Sequence, residues 1–321
     1  MTQSLLLGDP ISPLQTEVKC TIGICAYNEE RNISGLLDNL LNDQALDKNA
    51  EILVVSSGST DSTDKLVRGY CSRDPRVELI AQSDRLGKSS AMNEIIKRAS
   101  SEIIFFIPAD VLPAPLAIAS MSTEFSDLHV GVVCGHPVPV NRDAGFSGYL
   151  ANLMWRMHNR TLNLLSASRT NTHATGELMA VRRCLVETLP EDTVNDDAYI
   201  AVSVASKGLR VSYCESAKVY MKAPTNLLDF LRQRRRIIFG HHAIKRSKGQ
   251  YPRTLETMAF YDPRKVLRII QEEILTSQFS VPKFVAALIV ESIANILAMF
   301  DILSKKQHNV WSVAESTKGA L

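Results

Sequence analysis

The stretch that decides the fold is residues 20–61, CTIGICAYNEERNISGLLDNLLNDQALDKNAEILVVSSGSTD. It begins with an apolar run, residues 20–26, and continues at residues 28–41 with apolar side chains at helical spacing. A second apolar run follows at residues 51–55. A short apolar strand, an amphipathic helix and another apolar strand are typical of a parallel sheet covered by helices, so the stretch predicts an α/β fold.

The same alternation continues through the next four segments. We predict helix 61–70, strand 77–81, helix 88–98 and strand 103–107. Such a series forms a doubly wound, mostly parallel sheet, in which ligands bind at the carboxyl ends of the strands. Those ends are residues 27–30, 56–61 and 108–110.

Beyond residue 130 the pattern is less regular. It predicts strand 130–137, helix 146–165, strand 174–181, helix 197–206, two short strands at 211–213 and 218–220, and mostly helix from 227 onward. This divides the chain into an N-terminal tail (1–17), a nucleotide-binding half (18–140), an acceptor-side half (141–250) and a helical C-terminal extension (251–321).

The overall composition is that of an ordinary folded protein. The chain has 321 residues, 45% of them hydrophobic, and a net charge of +2, so it is long enough for a substantial core and has no global charge that would suggest a nucleic-acid partner. The six cysteines form no CxxC pair, and the N-terminus lacks the pattern of a signal peptide. We therefore expect reduced thiols and a cytoplasmic protein.

The densest chemistry lies between residues 196 and 240. Asp196 and Asp197 are adjacent, and an arginine-rich segment, residues 233–236, follows. A carboxylate can act as a general base, and arginines can hold phosphate, so the combination suits transfer of a group from a phosphorylated donor to a hydroxyl. Residues 230–250 contain seven Arg or Lys and no acid, which is also the pattern of a solvated helix face.

Four other segments are candidates for binding. The turn 56–61 and residues 85–88 each precede a helix, where backbone amides favour anions, although Ser and Thr there are also ordinary helix caps. Asp110 follows a strand and suits a hard cation or a structural turn. The polar break 175–177 interrupts an apolar strand, where another group approaches the backbone. We treat His136, His158, His173, His241 and His242 as structural or as supports for site residues, because their spacing matches no metal motif.

Taken together, these segments resemble glycosyltransferase family 2, the inverting nucleotide-sugar transferases with a GT-A fold. The matching segments, from residue 20 to about residue 242, are Tyr27-Asn28-Glu29-Glu30 with P-x-Y-N-E-E, residues 54–61 with V-V-D-D-G-S-T-D, Arg85–Lys88 with R-x-G-K, Pro108-Ala109-Asp110 with D-x-D, Gly176-Glu177 through Arg183 with G-x-x-x-A-x-R-R, Asn195-Asp196-Asp197 with T-E-D, and Gln233–Ile237 with Q-x-x-R-W.

The resemblance implies a role for each matched residue. Asp197 corresponds to the general base, Asp110 to the ligand of a divalent metal (Mn²⁺ or Mg²⁺), and Arg236 to the clamp on the leaving diphosphate, supported by Arg234 or Lys88. Arg235 is assigned to surface or lipid contact. The residues implied to bind substrate are Asn28, Glu29, Ser57, Arg85, Lys88, Asp110, Gly176, Glu177, Asp196, Gln233 and Arg236.

The sequence departs from the family pattern at four positions. Ser56 and Ser57 replace the two aspartates of D-D-G-S, which concerns contact with the nucleobase. Pro108 replaces the first aspartate of D-x-D, which weakens the expected metal site, and Ile237 replaces the tryptophan of Q-x-x-R-W.

Two alternatives to an active transferase are compatible with an α/β chain of this kind. A nucleotidyltransferase would carry a glycine-rich basic motif after the first strand, where this chain has residues 27–30 instead. A non-catalytic nucleotide-sugar-binding or scaffolding relative is favoured by the lost aspartates and opposed by Asp197 and Arg236.

The acceptor is not specified by the sequence and is either a sugar or lipid-linked. The apolar segment 284–300 is interrupted by Glu291 and Asn295, which share one helix face. It favours a buried or interfacial helix over a membrane span, and so peripheral contact with the cytoplasmic face of a membrane.

Overall fold

The computed structural model describes residues 17–141, 145–277 and 280–304. The predicted tail, apart from residue 17, and the last part of the predicted extension lie outside these ranges. The first half alternates strands and helices as predicted: β1 Thr21–Ala26, α1 Ile33–Asp43, β2 Glu51–Ser57, α2 Thr63–Cys71, β3 Val77–Gln82, α3 Lys88–Arg98 and β4 Ile103–Pro108.

The remainder of the chain completes the sheet and then becomes helical. Its elements are β5 Val111–Pro113, α4 Ala117–Glu124, β6 Val130–Pro139, α5 Gly145–Ala167, β7 Met179–Arg182, α6 Asp196–Ser206, β8 Arg210–Met221, α7 Leu227–Lys248, α8 Leu255–Tyr261, α9 Pro263–Thr276 and α10 Val281–Leu303. The predicted α/β class with a helical C-terminal extension is confirmed.

One eight-stranded sheet runs through the described residues in the order β3-β2-β1-β4-β7-β6-β8-β5. The first four strands are parallel, β7 is antiparallel to both β4 and β6, and β8 is parallel to β6. The parallel order places the carboxyl ends of β1, β2 and β4 at one edge, where the predicted ligand loops meet.

Three details of the sequence prediction are wrong. Strand 174–181 begins only at Met179, so residues 175–177 lie in the loop before β7. The two short strands at 211–213 and 218–220 are one strand, β8, which follows β6 through a register shift between Cys134 and His136. The three-residue strand β5 was not predicted, because so short a segment carries no periodicity.

The sheet buries both faces, as a parallel sheet between helices must. Alternate residues of β2 belong to opposite layers: Ile52 and Val54 pack in one apolar cluster, Leu53 and Val55 in the other. All six cysteines are free thiols in the structure, and burial raises the pKa of Cys20 and of Cys25 to about 12.

The last helix, α10, has two chemically different sides. Ala294, Ala298 and Asp301 are buried on the side that packs against the rest of the protein. Ile289, Ile296 and other large apolar residues on the opposite side are exposed. By length and composition α10 could cross a membrane, and only 22% of its most apolar window is buried.

Candidate active site

The loops at the carboxyl ends of β1, β2 and β4 surround a cavity of about 1040 Å³, together with the starts of α3 and α6 and one face of α7. We call it the central cavity. The predicted site residues that line it are Glu29, Ser57, Arg85, Lys88, Asp110, Gly176, Glu177, Asp196, Asp197, Gln233 and Arg236. Of the described residues, Asn28 is the one predicted site residue outside this lining.

The loop after β1 is fastened to the loop after β2. Asn28 adopts a left-handed conformation (φ 52°), and its Oδ1 accepts a hydrogen bond from the backbone N–H of Thr60 at 2.8 Å. The backbone N–H of Glu29 donates to Oγ1 of Thr63 at 2.8 Å. Asn28 therefore holds the shape of the loop, while Glu29 reaches the cavity.

The segment before α3 packs against the ends of β1 and β2 at the cavity wall. The guanidinium of Arg85 lies 4.1 Å from the centre of the Tyr27 ring, a cation–π contact. The backbone N–H of Leu86 donates to Oγ of Ser57 at 3.0 Å, which fixes this segment to the end of β2. Gly58 has φ 68°, and a Cβ there would lie 2.7 Å from the backbone N of Arg85, so the close approach requires glycine.

Lys88, at the start of α3, contacts the carboxylate pair. Its Nζ lies 2.7 Å from Oδ2 of Asp196, and both side chains are largely buried. Burial alone would lower the pKa of Lys88, but the charges of Asp196 and Asp197 raise it above its ordinary value. Lys88 therefore stays cationic at neutral pH.

Asp197 titrates near neutral pH. Burial, together with the neighbouring Asp196, raises its pKa to about 7, although Lys88 acts in the opposite direction. Its Oδ1 accepts a hydrogen bond from the backbone N–H of Ala198 at 2.7 Å. A Cβ on Gly176 would lie 3.1 Å from Oδ2 of Asp197, so the backbone before β7 passes directly beside the carboxylate. A carboxylate with this pKa can accept a proton from a hydroxyl at neutral pH.

The carboxylate of Glu177 acts electrostatically on Asp197. Glu177 accepts a hydrogen bond from the hydroxyl of Thr175, and burial raises its pKa, with a smaller contribution from the charge of Asp110. Among the described residues, no three His, Cys, Asp or Glu side chains form a group that could hold a metal. One cavity-lining carboxylate, Asp110, still fits Mg²⁺ or Mn²⁺, because such ions are commonly bound by one or two carboxylates and the substrate phosphates.

Helix α7 brings Gln233 and Arg236 to the cavity from the opposite side. They are three residues apart and therefore share a helix face. Burial lowers the pKa of Arg236 to about 10, while the charges of Asp196, Asp197 and Glu177 act to raise it. Arg236 remains cationic at neutral pH and faces the acidic cluster.

The position of α7 is set by a close contact with the residue before α6. Nδ2 of Asn195 donates to the backbone carbonyl of Ile237 at 2.9 Å. A Cβ on Gly240 would lie 2.5 Å from Oδ1 of Asn195. This contact fixes Gln233 and Arg236 relative to Asp196 and Asp197.

The other two arginines of this segment form ion pairs with the C-terminal helices. Arg234 donates through Nε and Nη2 to both carboxylate oxygens of Glu291, at 2.9 and 2.6 Å, and its Nη2 lies 2.8 Å from Oε1 of Glu256. Arg235 forms a bidentate pair with Asp301. The assignment of Arg235 to surface or lipid contact is therefore wrong, and the donor groups of Arg234 are engaged by acids rather than directed at a phosphate.

Four aromatic side chains, which the sequence did not link to one another, form a stack along the central cavity. His158 lies between Trp155 and His173, with ring centroids 5.3 Å apart in both pairs, and His241 follows His173 at 5.5 Å. Burial lowers the pKa of His158 to about 3 and that of His173 to about 4, so these imidazoles are neutral. They come from three separate segments, so no spacing in the sequence could reveal the stack.

Comparison with known proteins gives a family and several relatives. The family model "Glycosyl transferase family 2" matches residues 21–189. A poly-beta-1,6-N-acetyl-D-glucosamine synthase of Staphylococcus aureus (strain COL) is 26% identical over 233 residues, 70% of this chain and 55% of the synthase. The dolichyl-phosphate beta-glucosyltransferase ALG5C of Trichomonas vaginalis is 31% identical over 103 residues, 30% of each chain. This chain thus spans about half the length of the synthase.

Solved structures share the fold. The mannosyltransferase PcManGT from Pyrobaculum calidifontis, in complex with GDP-Man and Mn²⁺, superimposes with a TM-score of 0.65 at 21% identity, covering 92% of this chain and 90% of that one. TarS residues 1–349 of S. aureus, in complex with UDP-GlcNAc, gives a TM-score of 0.50 at 17% identity, covering 92% and 82%.

Proposed function

The chain belongs to glycosyl transferase family 2 and has its GT-A fold, and on that premise we propose that it transfers a sugar from a nucleoside diphosphate donor to an acceptor hydroxyl with inversion. The domain limits and residue roles below are part of this proposal. Residues 18–140 bind the donor, residues 141–250 form the acceptor side, and residues 251–321 are the helical extension. The product belongs to glycan, glycolipid or cell-envelope synthesis.

The observation that carries the proposal is the geometry of the cavity, in which the buried Asp197 carboxylate lies with Lys88 and Arg236 and has its pKa raised to about 7. In the reaction, the acceptor hydroxyl gives its proton to the Asp197 carboxylate. Its oxygen forms the new bond to the anomeric carbon as the bond from that carbon to the diphosphate oxygen breaks. Attack from the face opposite the leaving group inverts the anomeric centre.

The leaving group carries developing negative charge on its diphosphate. Lys88 and Arg236 remain cationic at neutral pH and line the same cavity, so they stabilise that charge without reorganising. Gln233 shares the helix face of Arg236 and orients the acceptor or the phosphates. The surface formed by Tyr27, Arg85 and Ser57 binds the nucleoside.

Asp110 would hold the divalent metal, Mn²⁺ or Mg²⁺, together with the donor phosphates. When bound, such an ion neutralises part of the diphosphate charge. Asp196, by contrast, is engaged by Lys88 and sets the electrostatic environment of Asp197.

A non-catalytic nucleotide-sugar-binding relative is the second candidate. It is favoured by the sequence at the donor loops, where Pro108, Ser56 and Ser57 replace the family's aspartates. It gives no reason for the near-neutral pKa of Asp197 beside two cations, and we therefore prefer the transferase.

The decisive experiment is a donor screen with Mn²⁺ or Mg²⁺, measuring release of nucleoside diphosphate, followed by the Asp197→Asn variant. We expect this variant to lose about 10²–10⁴-fold in transfer while it still binds the donor nucleotide by calorimetry, because only the proton acceptor is removed. Transfer within a few-fold of wild type would exclude Asp197 as the base. Nucleotide binding without turnover by the wild type would favour the non-catalytic relative.

We also propose that the protein lies on the cytoplasmic face of a membrane through the exposed apolar side of α10. Replacing Ile289 and Ile296, which are 57% and 57% exposed, with serine should reduce co-sedimentation with lipid vesicles, since both side chains point away from the core. The matched control is Leu128→Ser, at an exposed apolar residue remote in sequence from α10. Equal sedimentation of the wild type, the α10 variant and the control would exclude this surface as a lipid contact.

We expect no nucleic-acid partner.

A further inference from the structure

The central cavity has a second region that the transfer chemistry does not use. It extends away from the carboxylates between α5, α9 and α10, and we call it the apolar arm. It is lined by Leu150, Leu153 and Met154 of α5, Val266 of α9, and Phe284 and Ala287 of α10.

The walls of the apolar arm are core-like in composition but incompletely covered. Val266, Phe284 and Ala287 pack against the buried cluster of Leu153 and Met157, yet all three remain partly accessible. Apolar surface left open inside a cavity forgoes the free energy of burial. An apolar ligand would recover it.

The apolar arm is continuous with the reaction centre. Trp155 and His158 line the cavity between α5 and the loop that carries Gly176, and His173 lies next to them. These rings are neutral, and the ion-paired side chains of Arg234, Glu256 and Glu291 line the cavity beside them. A ligand that spans the reaction centre and the apolar arm would have a polar head near Asp197 and an apolar chain beyond the histidines.

The outer end of the apolar arm lies at the exposed side of α10. Leu288 lines the cavity and is also 53% exposed, so it marks the position at which the arm meets the protein surface. Its neighbour Ile289 is 57% exposed on the same helix. An apolar chain can therefore enter from the surface that we propose to contact lipid.

We infer that the acceptor is an amphiphile, whose hydroxyl-bearing head lies at Asp197 and whose hydrocarbon chain occupies the apolar arm. The inference rests on the proposed transfer reaction and specifies its acceptor class. The central cavity, at about 1040 Å³, lies at the upper end of the roughly 300–1,000 Å³ typical of ligand pockets. The donor takes the charged region and the chain takes the apolar arm.

The test uses the fluorescence of Trp155. The chain contains two tryptophans, so Trp311→Phe leaves Trp155 as the single emitter. Dibromostearate, whose bromines quench tryptophan at short range, should quench Trp155 saturably, and unlabelled stearate should reverse the quenching. Shorter saturated acids should compete more weakly, by up to about fourfold for each methylene lost from the arm. Linear, non-saturable quenching would overturn the inference.

Two matched variants locate the chain. Ala287→Phe fills the arm and should weaken quenching at least tenfold, whereas Ala286→Phe, at the adjacent residue that does not line the cavity, should leave it unchanged. Equal quenching in both variants would place the chain elsewhere and overturn the inference. If Ala287→Phe fails to fold, as judged by thermal unfolding, Val266→Phe replaces it.

Binding of UDP and of GDP by calorimetry separates the two proposals. The Ala287→Phe and Ala286→Phe variants should both bind nucleotide as the parent protein does, because neither residue lies near the donor loops. A parent that quenches saturably but binds neither nucleotide would contradict the proposed function and leave the apolar chain site standing. A parent that binds nucleotide but shows no saturable quenching would contradict only the amphiphilic acceptor.

Discussion

The side chain of Asp197 is tuned by its immediate neighbours rather than by its own chemistry. Burial, Asp196 and Glu177 raise its pKa, and Lys88 limits the rise. The result is an acid that titrates near pH 7, where an ordinary aspartate is already fully ionised. The Asp197 carboxylate can therefore both accept and release a proton under neutral conditions.

This pKa predicts the pH dependence of transfer. Since the base must be ionised, the rate should be constant above pH 7 and fall about tenfold per pH unit below about pH 7. Glu177→Gln removes a charge that raises the pKa of Asp197, so its profile should shift to lower pH. Initial rates measured from about pH 5.5 to about pH 9 give both profiles. Superimposable profiles would show that another group titrates.

Individual residues of the site could be predicted, but their pairings could not. The motifs named Lys88, Gly176, Asp196 and Asp197, and the structure brings all four together around one cavity. The pairing of Lys88 with Asp196 joins side chains 108 residues apart and depends on how α3 and α6 meet. Sequence separation of this size hides the electrostatics that set the pKa values.

Among the helices, α7 links the reaction centre to the C-terminal extension. Gln233 and Arg236 share one face, while Arg234 and Arg235, which also line the cavity, pair with acids of α8 and α10. The sequence showed an arginine cluster and an interrupted apolar segment as separate features. Their connection could not be predicted, because Glu291 and Asp301 read as interruptions until the helices are placed side by side.

The contact between α7 and Asn195 leads to a prediction about Gly240. Gly240→Ala places a Cβ within 2.5 Å of the Asn195 side chain, so α7 must shift. We expect a loss of about 1–3 kcal/mol in the free energy of unfolding and at least a roughly tenfold lower kcat/KM, because Gln233 and Arg236 move with the helix.

The control for Gly240→Ala is Gly35→Ala in α1. Gly35 is also inside a helix, but no atom lies within 4 Å of the position of an added Cβ. Replacing it should stabilise the protein by about 0.5–1 kcal/mol and leave kcat/KM unchanged. Chemical denaturation and steady-state rates measure both effects. Equal behaviour of the two variants would show that α7 is not held by this contact.

For the whole molecule, the buried histidines set its response to acid. Folding lowers the pKa of His158 to about 3, of His173 to about 4 and of His241 well below 6.5, in each case chiefly through burial. A group with a lowered pKa contributes stability that is complete above its unfolded pKa of 6.5 and is lost as the pH falls towards the folded value.

We therefore predict that stability falls between pH 6.5 and pH 4. At pH 5 each fully buried histidine lowers the free energy of unfolding by about 2 kcal/mol. The raised pKa of Asp197 acts in the opposite direction, but the three histidines together outweigh it. Thermal unfolding at about pH 7.5, 6 and 5 should show a progressive decrease in the unfolding temperature. His173→Gln should flatten the dependence, and an unchanged slope in that variant would exclude the stack as its source.

The position of Glu291 near the middle of α10 has a consequence for synthesis of the protein. A charged side chain at the centre of a membrane-spanning helix costs about 2.5–3.5 kcal/mol during insertion by the translocon. Within the fold, Arg234 neutralises that charge, and α7 is already translated when α10 emerges from the ribosome. We therefore expect this carboxylate to oppose transfer of α10 into the bilayer core and to favour its packing against α7, with its apolar side facing outward.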